Sequence, residues 1–269
     1  MKVKNVFQLS LLLLSVTVFS CKNAEENSTQ SKKDVPESSQ EKNSITLEKL
    51  EGSTSYPGAS LKLLEPETSE VNDTSLNFNF EVQDYELGKQ TDSPLASKLA
   101  NSEKGQHIHF IVDNDPYAAH YEPQFQKDFS EGTHNIVAFL SRSYHESVKN
   151  MNSFVAKTFQ IGTEKDAGDK VDLSKPTLIY SRPKGEYSGK DTNNLLLDFF
   201  LLNTELSENG NKVKATINDT EFILSEWVPY VINGLPKGKV KIRLQLLDVQ
   251  GNVVDGAYND VTREITLSE

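Results

Sequence analysis

The strongest constraint on the fold is an internal repeat, in which short segments recur in one order along the chain. Ordered matches of this kind indicate that one structural unit of about 100 residues occurs twice, and the first copy carries an extra loop at 88–104. The matched segments are SLKLLEP (60–66) with TLIYSRP (177–183), LNFNFEVQDYEL (76–87) with LLLDFFLLNTEL (195–206), GQHIHFIVDN (105–114) with GNKVKATIND (210–219), and SEGTHNIVAFLSR (130–142) with LPKGKVKIRLQLLD (235–248).

Both copies have the residue pattern of β-strands. Leu76, Phe78 and Phe80 recur with a period of two, which is typical of a strand with one buried face. The segment DVQGNVV at 248–254 is a tight hairpin signal. We therefore predict an all-β fold with two tandem immunoglobulin-like sandwiches, at 54–163 and 171–269.

The N-terminal segment predicts export and lipidation. Residues 1–20 have a basic start, an apolar run and a small residue before Cys21, the only cysteine, and the junction resembles a bacterial lipobox. We predict a signal peptide at 1–20, a lipid on Cys21 and a flexible polar tether at 21–53. The expected location is the bacterial cell envelope, on the outer membrane, facing either the periplasm or the surface. The lipid is then the membrane partner.

The charge balance disfavours one class of partner. The chain carries 39 acidic and 28 basic residues, for a formal charge of −11. Because an acidic surface repels phosphate backbones, we expect no nucleic-acid partner.

All five histidines lie between residues 107 and 145 of the first copy. On a strand, His107 and His109 project from the same face. Their counterparts in the second copy are Lys212 and Lys214, so we expect this face to be exposed to solvent.

The leading hypothesis is recognition of a peptide, a glycan or a protein by a polar, aromatic rim of the first copy. Tyrosine supplies flat amphipathic area that interfaces favour. The predicted binding residues are His107, His109, Asp113, Tyr117, His120, Tyr121, Arg142, Tyr144 and His145.

The alternative hypothesis is copper or zinc binding, for buffering or delivery of the metal. A His-X-His strand pair is a common first element of such sites. Here His107 and His109 would bind the ion together with His120 or His145. We expect release near pH 5, because free imidazole gains a proton near pH 6.5. His134 is in phase with the apolar residues of its strand and is expected to be buried or half-buried, with a backbone partner.

No motif in the chain indicates an enzyme. The sequence lacks a Gly-X-Ser-X-Gly elbow, a P-loop and a His-Glu-X-X-His helix. We therefore predict a non-catalytic binding protein. An anion pocket around Arg142 is a weaker alternative, since no fork of several arginines accompanies it. Trp227 is expected to pack against its own sandwich or the domain junction.

Two histidine motifs carry a resemblance over roughly residues 58–161. GQHIHFIVD and EGTHNIVAFLSRSYHES resemble a family of exported, histidine-rich β-sandwich domains of unknown function. The whole chain is similar to tandem bacterial lipoproteins sometimes named phosphopeptide-binding. The matching positions are Gly105, His107, His109 and Asp113, then Gly132, His134 and His145. Where the family tends to have more histidine, Gln106 and Ile108 stand here, and Glu131 replaces its proline.

Overall fold

A computed structural model describes residues 44–163 and 171–269. Within these ranges the regular structure consists of strands and two short 3-10 helices, Pro94–Ser97 and Gly189–Thr192, so the all-β prediction is confirmed. The strands before residue 164 are β1 Thr46–Lys49, β2 Ser60–Glu65, β3 Glu70–Val71, β4 Ser75–Gln83, β5 His107–Val112, β6 Ala118–His120, β7 Gln124–Asp128, β8 Gly132–Ser141 and β9 Phe154–Ile161. The later strands are β10 Thr177–Arg182, β11 Glu186–Tyr187, β12 Leu195–Leu202, β13 Lys212–Ile217, β14 Thr220–Leu224, β15 Tyr230–Asn233, β16 Gly238–Leu247 and β17 Asp260–Leu267.

The same strand order occurs in both halves. The first half has one sheet ordered β2-β4-β7 and another ordered β3-β9-β8-β5-β6. The second half repeats this with β10-β12-β15 and β11-β17-β16-β13-β14. In each half one short strand pairs in parallel with the last strand, β3 with β9 and β11 with β17. Eight strands thus correspond one to one, in immunoglobulin-type sandwiches.

Each sandwich encloses its own apolar core. In the first, Leu76, Phe78 and Phe80 are buried as their alternation predicts, and Phe78 meets Phe110 of the facing sheet edge-on at 4.8 Å. In the second, the core is formed by residues such as Leu197 of β12 and Val240 of β16. The two inner faces of each sandwich therefore supply the main burial of apolar surface.

A third apolar cluster joins the halves. Phe139 on β8 stacks on Phe200 on β12, with ring centroids 4.7 Å apart, and Ile111 and Ile179 pack in the same cluster. All eight residues of β12 are buried, which explains why every residue except Asp198 is apolar and the sequence does not alternate. Residues 42–269 form one compact unit, so the boundaries at 54–163 and 171–269 stay a prediction.

The predicted tether is wrong at its C-terminal end. Strand β1, Thr46–Lys49, pairs with β15 and extends the sheet of the second half, with Leu47 opposite Ile232. Ile45 and Leu47 pack against the second core. A short apolar pattern within a polar segment is enough for an edge strand once a partner sheet is present.

Other N-terminal predictions lie outside the described residues. These are the signal peptide, the lipid on Cys21 and the tether up to residue 43, and residues 164–170 of the predicted linker are likewise not described. Among the described residues, no helix has the length and apolar character needed to span a bilayer.

Candidate metal centre

His107 and His109 share one face of β5, as predicted, but that face is not exposed. Both side chains are fully buried. The corresponding Lys212 and Lys214 of the second half are half-exposed. The copies differ because this face of β5 contacts Ser181 at the end of β10 and the rings of Tyr117 and Tyr121. The prediction of a solvent-exposed histidine face is therefore wrong.

Three imidazoles converge at this buried face. Nε2 of His109 lies 3.0 Å from Nε2 of His107, and Nδ1 of His145 lies 3.1 Å from the same His107 atom. One nitrogen from each ring lies within 4.8 Å of the others. Nitrogens bound to one tetrahedral zinc ion at about 2.0–2.1 Å lie roughly 3.3 Å apart, so the spacing suits a shared metal ion.

The backbone orients the first imidazole. Nδ1 of His107 donates to the carbonyl of Gly105 at 2.8 Å, which leaves a lone pair on Nε2 that points into the cluster. Gly105 has φ of +86°, and a Cβ there would lie 2.5 Å from the carbonyl oxygen of Gly88. Only glycine fits this position, so the glycine of the histidine motif has a structural reason.

Two further side chains hold the second imidazole. Nδ1 of His109 lies 3.1 Å from the hydroxyl of Ser181 on β10. The ring of Tyr117 stacks on the His109 ring at 3.5 Å with 10° between the planes. The Tyr117 hydroxyl also lies 3.0 Å from Nδ1 of His145. The Ser181 contact orients the ring of His109 through its outward nitrogen, as outer-shell groups do around bound metals. The Tyr117 hydroxyl instead contacts the inward nitrogen of His145.

The third imidazole comes from a tight loop after β8. His145 has φ of +70°, in the left-handed region, and it is half-buried. Its neighbour Arg142 anchors this loop through bonds to the carbonyls of Thr54 and Ser147 and an ion pair with Glu146 at 3.1 Å. Arg142 is buried and its donors are engaged within the fold, so its placement gives no support to the predicted binding role or to the anion pocket.

Burial keeps the imidazoles neutral. It lowers the pKa of His107 to about 4, and it lowers the pKa values of His109 and His145 well below 6.5. The nearby cations Arg182 and Lys184 lower all three pKa values further. Neutral imidazole is the form that binds metal, so the site is ready to accept an ion across a wide pH range.

Asp113 and His134 lie apart from the cluster and contact each other. Nδ1 of His134 lies 2.6 Å from the Asp113 carboxylate, and His134 is half-buried. Its Nε2 lies 3.1 Å from the carbonyl of Ser130, so the expected backbone partner is present. Asp113 also accepts a bond from the backbone N–H of Asn135. The predicted binding role of Asp113 therefore has no support from its placement.

His120 points to the opposite face of the sheet. It pairs with Ile108 across β5 and β6, so it shares the core-facing side of β5 and not the side of His107. Its ring stacks on Phe125 at 3.4 Å. The structure therefore selects His145 rather than His120 as the third imidazole, and the prediction for His120 is wrong.

The predicted tyrosines do not form an exposed rim. Tyr144 is fully buried in a small apolar cluster, and Tyr117 is buried against the histidines. Tyr121 is half-buried, with its hydroxyl 2.8 Å from that of Ser102 and its ring centroid 5.0 Å from that of His107. Tyr117 and Tyr121 therefore pack against the histidines, and Tyr144 packs in a separate apolar cluster.

Three residues of the second half beside the histidines are not among the predicted site residues, because that half contains no histidine. Ser181, Arg182 and Lys184 all lie in the SRPK segment that ends β10. The sequence signal for them is weak, since Glu186 follows the two basic residues closely and nothing local indicates the contact with β5. Trp227 behaves as predicted: its indole donates to the carbonyl of Phe199, and its ring packs against Phe200.

Comparisons with known proteins bear on the fold alone. No protein-family model matches the sequence, and no curated protein matches it. Fibronectin(III)-like modules of Clostridium thermocellum CbhA are 13% identical, cover 77% of this chain and 94% of theirs, and have a TM-score of 0.27. The Bacteroides ovatus glucan-utilization protein SGBP-B, solved with a mixed-linkage heptasaccharide, is 8% identical over 78% and 70%, with a TM-score of 0.23. A fibronectin-III array of RIM-binding protein is 13% identical over 81% and 71%, with a TM-score of 0.24.

Proposed function

We propose that this chain is a non-catalytic, lipid-anchored protein of the bacterial cell envelope that binds a transition-metal ion. The ligands are His107, His109 and His145, and the role is copper or zinc buffering or delivery. The observation that carries the proposal is the convergence of three neutral imidazole nitrogens to within 4.8 Å of one another, two of them from fully buried rings. Imidazole is the ligand that zinc and copper share in proteins.

The surroundings of the cluster support this proposal. Burying three polar rings in an otherwise apolar junction is costly unless each nitrogen has a partner. Gly105 and Ser181 serve the outward nitrogens of His107 and His109, while the inward nitrogens face each other. A bound ion would accept the lone pairs of all three inward nitrogens at once. In the metal-free cluster, a proton between two of these nitrogens satisfies only that pair.

Recognition of a macromolecule by the same residues is disfavoured. His107, His109, Tyr117, Arg142 and Tyr144 are all buried, so they offer no surface to a peptide, glycan or protein. A metal ion needs no such surface. His145, which is half-buried, is the cluster member through which solvent reaches the site.

Calorimetric titration of the full-length chain in detergent with zinc and with copper tests the proposal. We expect one ion per chain, and an affinity loss of more than about 100-fold for His145→Asn. Asparagine tolerates the left-handed backbone of position 145, so this variant removes the ligand while keeping the loop conformation.

His120→Ala is the matched control, because it removes a histidine of the same half that lies on the other face of β5. This variant should bind metal as the unaltered chain does. If neither metal gives heat above dilution, or if His120→Ala weakens binding as much as His145→Asn does, the proposed site is wrong.

A further inference from the structure

The imidazole cluster lacks a negative charge. Its three ligands are neutral, and no carboxylate belongs to the group in the described parts of the chain. The nearest hydroxyl is that of Tyr117, 3.0 Å from Nδ1 of His145. No negatively charged ligand in the cluster would therefore offset the positive charge of a bound ion.

Two cations of the second half stand beside the cluster. The guanidinium of Arg182 is buried and donates to the Tyr187 hydroxyl at 2.6 Å. The ammonium of Lys184 donates to the Tyr117 carbonyl at 2.6 Å and lies 3.8 Å above the centre of the Tyr117 ring. No ion pair involving either cation is found among the described residues. Their charge therefore acts on the cluster without a nearby counter-charge.

The positive charges of Arg182 and Lys184 raise the free energy of a bound cation in proportion to the charge of that cation. The cost of removing the ion from water rises more steeply still with charge. Zinc almost always has four ligands in proteins and completes a three-histidine site with a water molecule. Cu(I) accepts low coordination numbers, so the three nitrogens of the cluster suffice for it without a fourth ligand. Ligand softness does not separate the metals here, because imidazole suits both zinc and copper.

From this charge balance and ligand number, and resting on the proposed metal-binding function, we infer that the His107–His109–His145 cluster is a Cu(I) site that disfavours Zn(II) and Cu(II). Lys184 and Arg182 act as selectivity residues. They touch no metal, but they raise the cost of the second positive charge.

Competition measurements on the full-length chain in detergent test this inference. Cu(I), kept reduced by excess ascorbate, is titrated against a chromogenic Cu(I) chelator, and Zn(II) against a zinc-binding dye. The informative variant is Lys184→Met, which keeps an apolar stem over Tyr117 and removes the charge. Lys184→Gln is a second variant with the same charge change. Lys241→Met is the matched control, because Lys241 is an exposed lysine on β16 in the other sheet of the second half.

We expect the unaltered chain to hold Cu(I) more tightly than Zn(II). Removing one charge about 10 Å away, at an effective dielectric constant of about 20, should strengthen Zn(II) binding about tenfold more than Cu(I) binding. The same tenfold effect on Cu(II) over Cu(I) lowers the midpoint potential of bound copper by about 59 mV. Lys241→Met should change neither quantity.

The outcomes separate the two proposals. If Zn(II) binds as tightly as Cu(I), or if both Lys184 variants leave the preference unchanged, the Cu(I) inference is wrong while the metal site stands. If neither ion binds, both the proposed function and this inference are wrong.

Discussion

Acidification should destabilise the metal-free protein at pH values above those at which ordinary carboxylates gain protons. His107 is fully buried, and burial lowers its pKa from 6.5 to about 4. A histidine with a lowered pKa stabilises the fold fully above the unfolded pKa of about 6.5 and loses that contribution as the pH falls towards the folded value. The unfolded chain binds the proton first, so stability must fall between pH 6.5 and pH 4.

The magnitude follows from the size of this shift. For His107 alone, the free energy of unfolding should fall by about 2 kcal/mol from pH 7.5 to pH 5, and by about 3 kcal/mol at pH 4. His109 and His145 have pKa values lowered well below 6.5, again chiefly by burial, and they act in the same direction. The loss for the whole cluster is therefore larger than the figure for His107.

Urea denaturation of the chelator-treated chain at several pH values measures this loss. A His107→Phe variant removes the titrating group, so its stability should depend less on pH by about 2 kcal/mol between pH 7.5 and pH 5. If the free energy of unfolding depends on pH in the same way for the unaltered chain and the variant, the conclusion that His107 is buried in its neutral form is wrong. His134→Phe is the control position, since this histidine contacts Asp113 outside the cluster.

Three other predictions follow from the same contacts. Bound metal should persist at pH 5 and be released only near pH 4, because the metal-free site gains protons near the lowered His107 pKa of about 4. Equilibrium dialysis with zinc at several pH values measures the release. Release near pH 5, as for free imidazole, would contradict this prediction. Ser181→Ala should weaken metal affinity by about 10- to 100-fold through loss of the bond to His109, whereas the exposed Ser188→Ala should not, and calorimetry compares them. A chain that starts at residue 54 should be less stable by roughly 2 kcal/mol than one that starts at residue 42, because it lacks β1, and equal midpoints in urea would contradict the role of that strand.

The imidazole cluster and the junction between the halves share residues. The three histidines of the proposed metal site come from the first half, but Ser181 and the two cations come from the end of β10. Loosening the junction would expose His109 and remove its hydroxyl partner. Metal affinity should therefore report on the integrity of the junction, which the stacked Phe139 and Phe200 hold together.

Much of the fold could be predicted from local sequence. Period-two alternation around Phe78 marked a strand with one buried face, and the ordered repeat indicated two copies of one unit. The apolar run of β12, interrupted only by Asp198, was a weaker signal, because it shows only that both faces of the strand are covered and not which elements cover them. The placement of β1 could not be predicted, because an edge strand depends on a partner more than 180 residues away in sequence.

By itself the sequence determined that the described chain forms β-sandwiches and that His107 and His109 share one face of a strand, because side-chain direction alternates strictly along a strand. Only the tertiary structure decided that this face is buried, that His145 joins it and His120 does not, and that two cations lie beside it. The physical reason is that strand periodicity is a local property. Which surface covers a face depends on contacts between halves that are far apart in the chain, and no local pattern records those contacts.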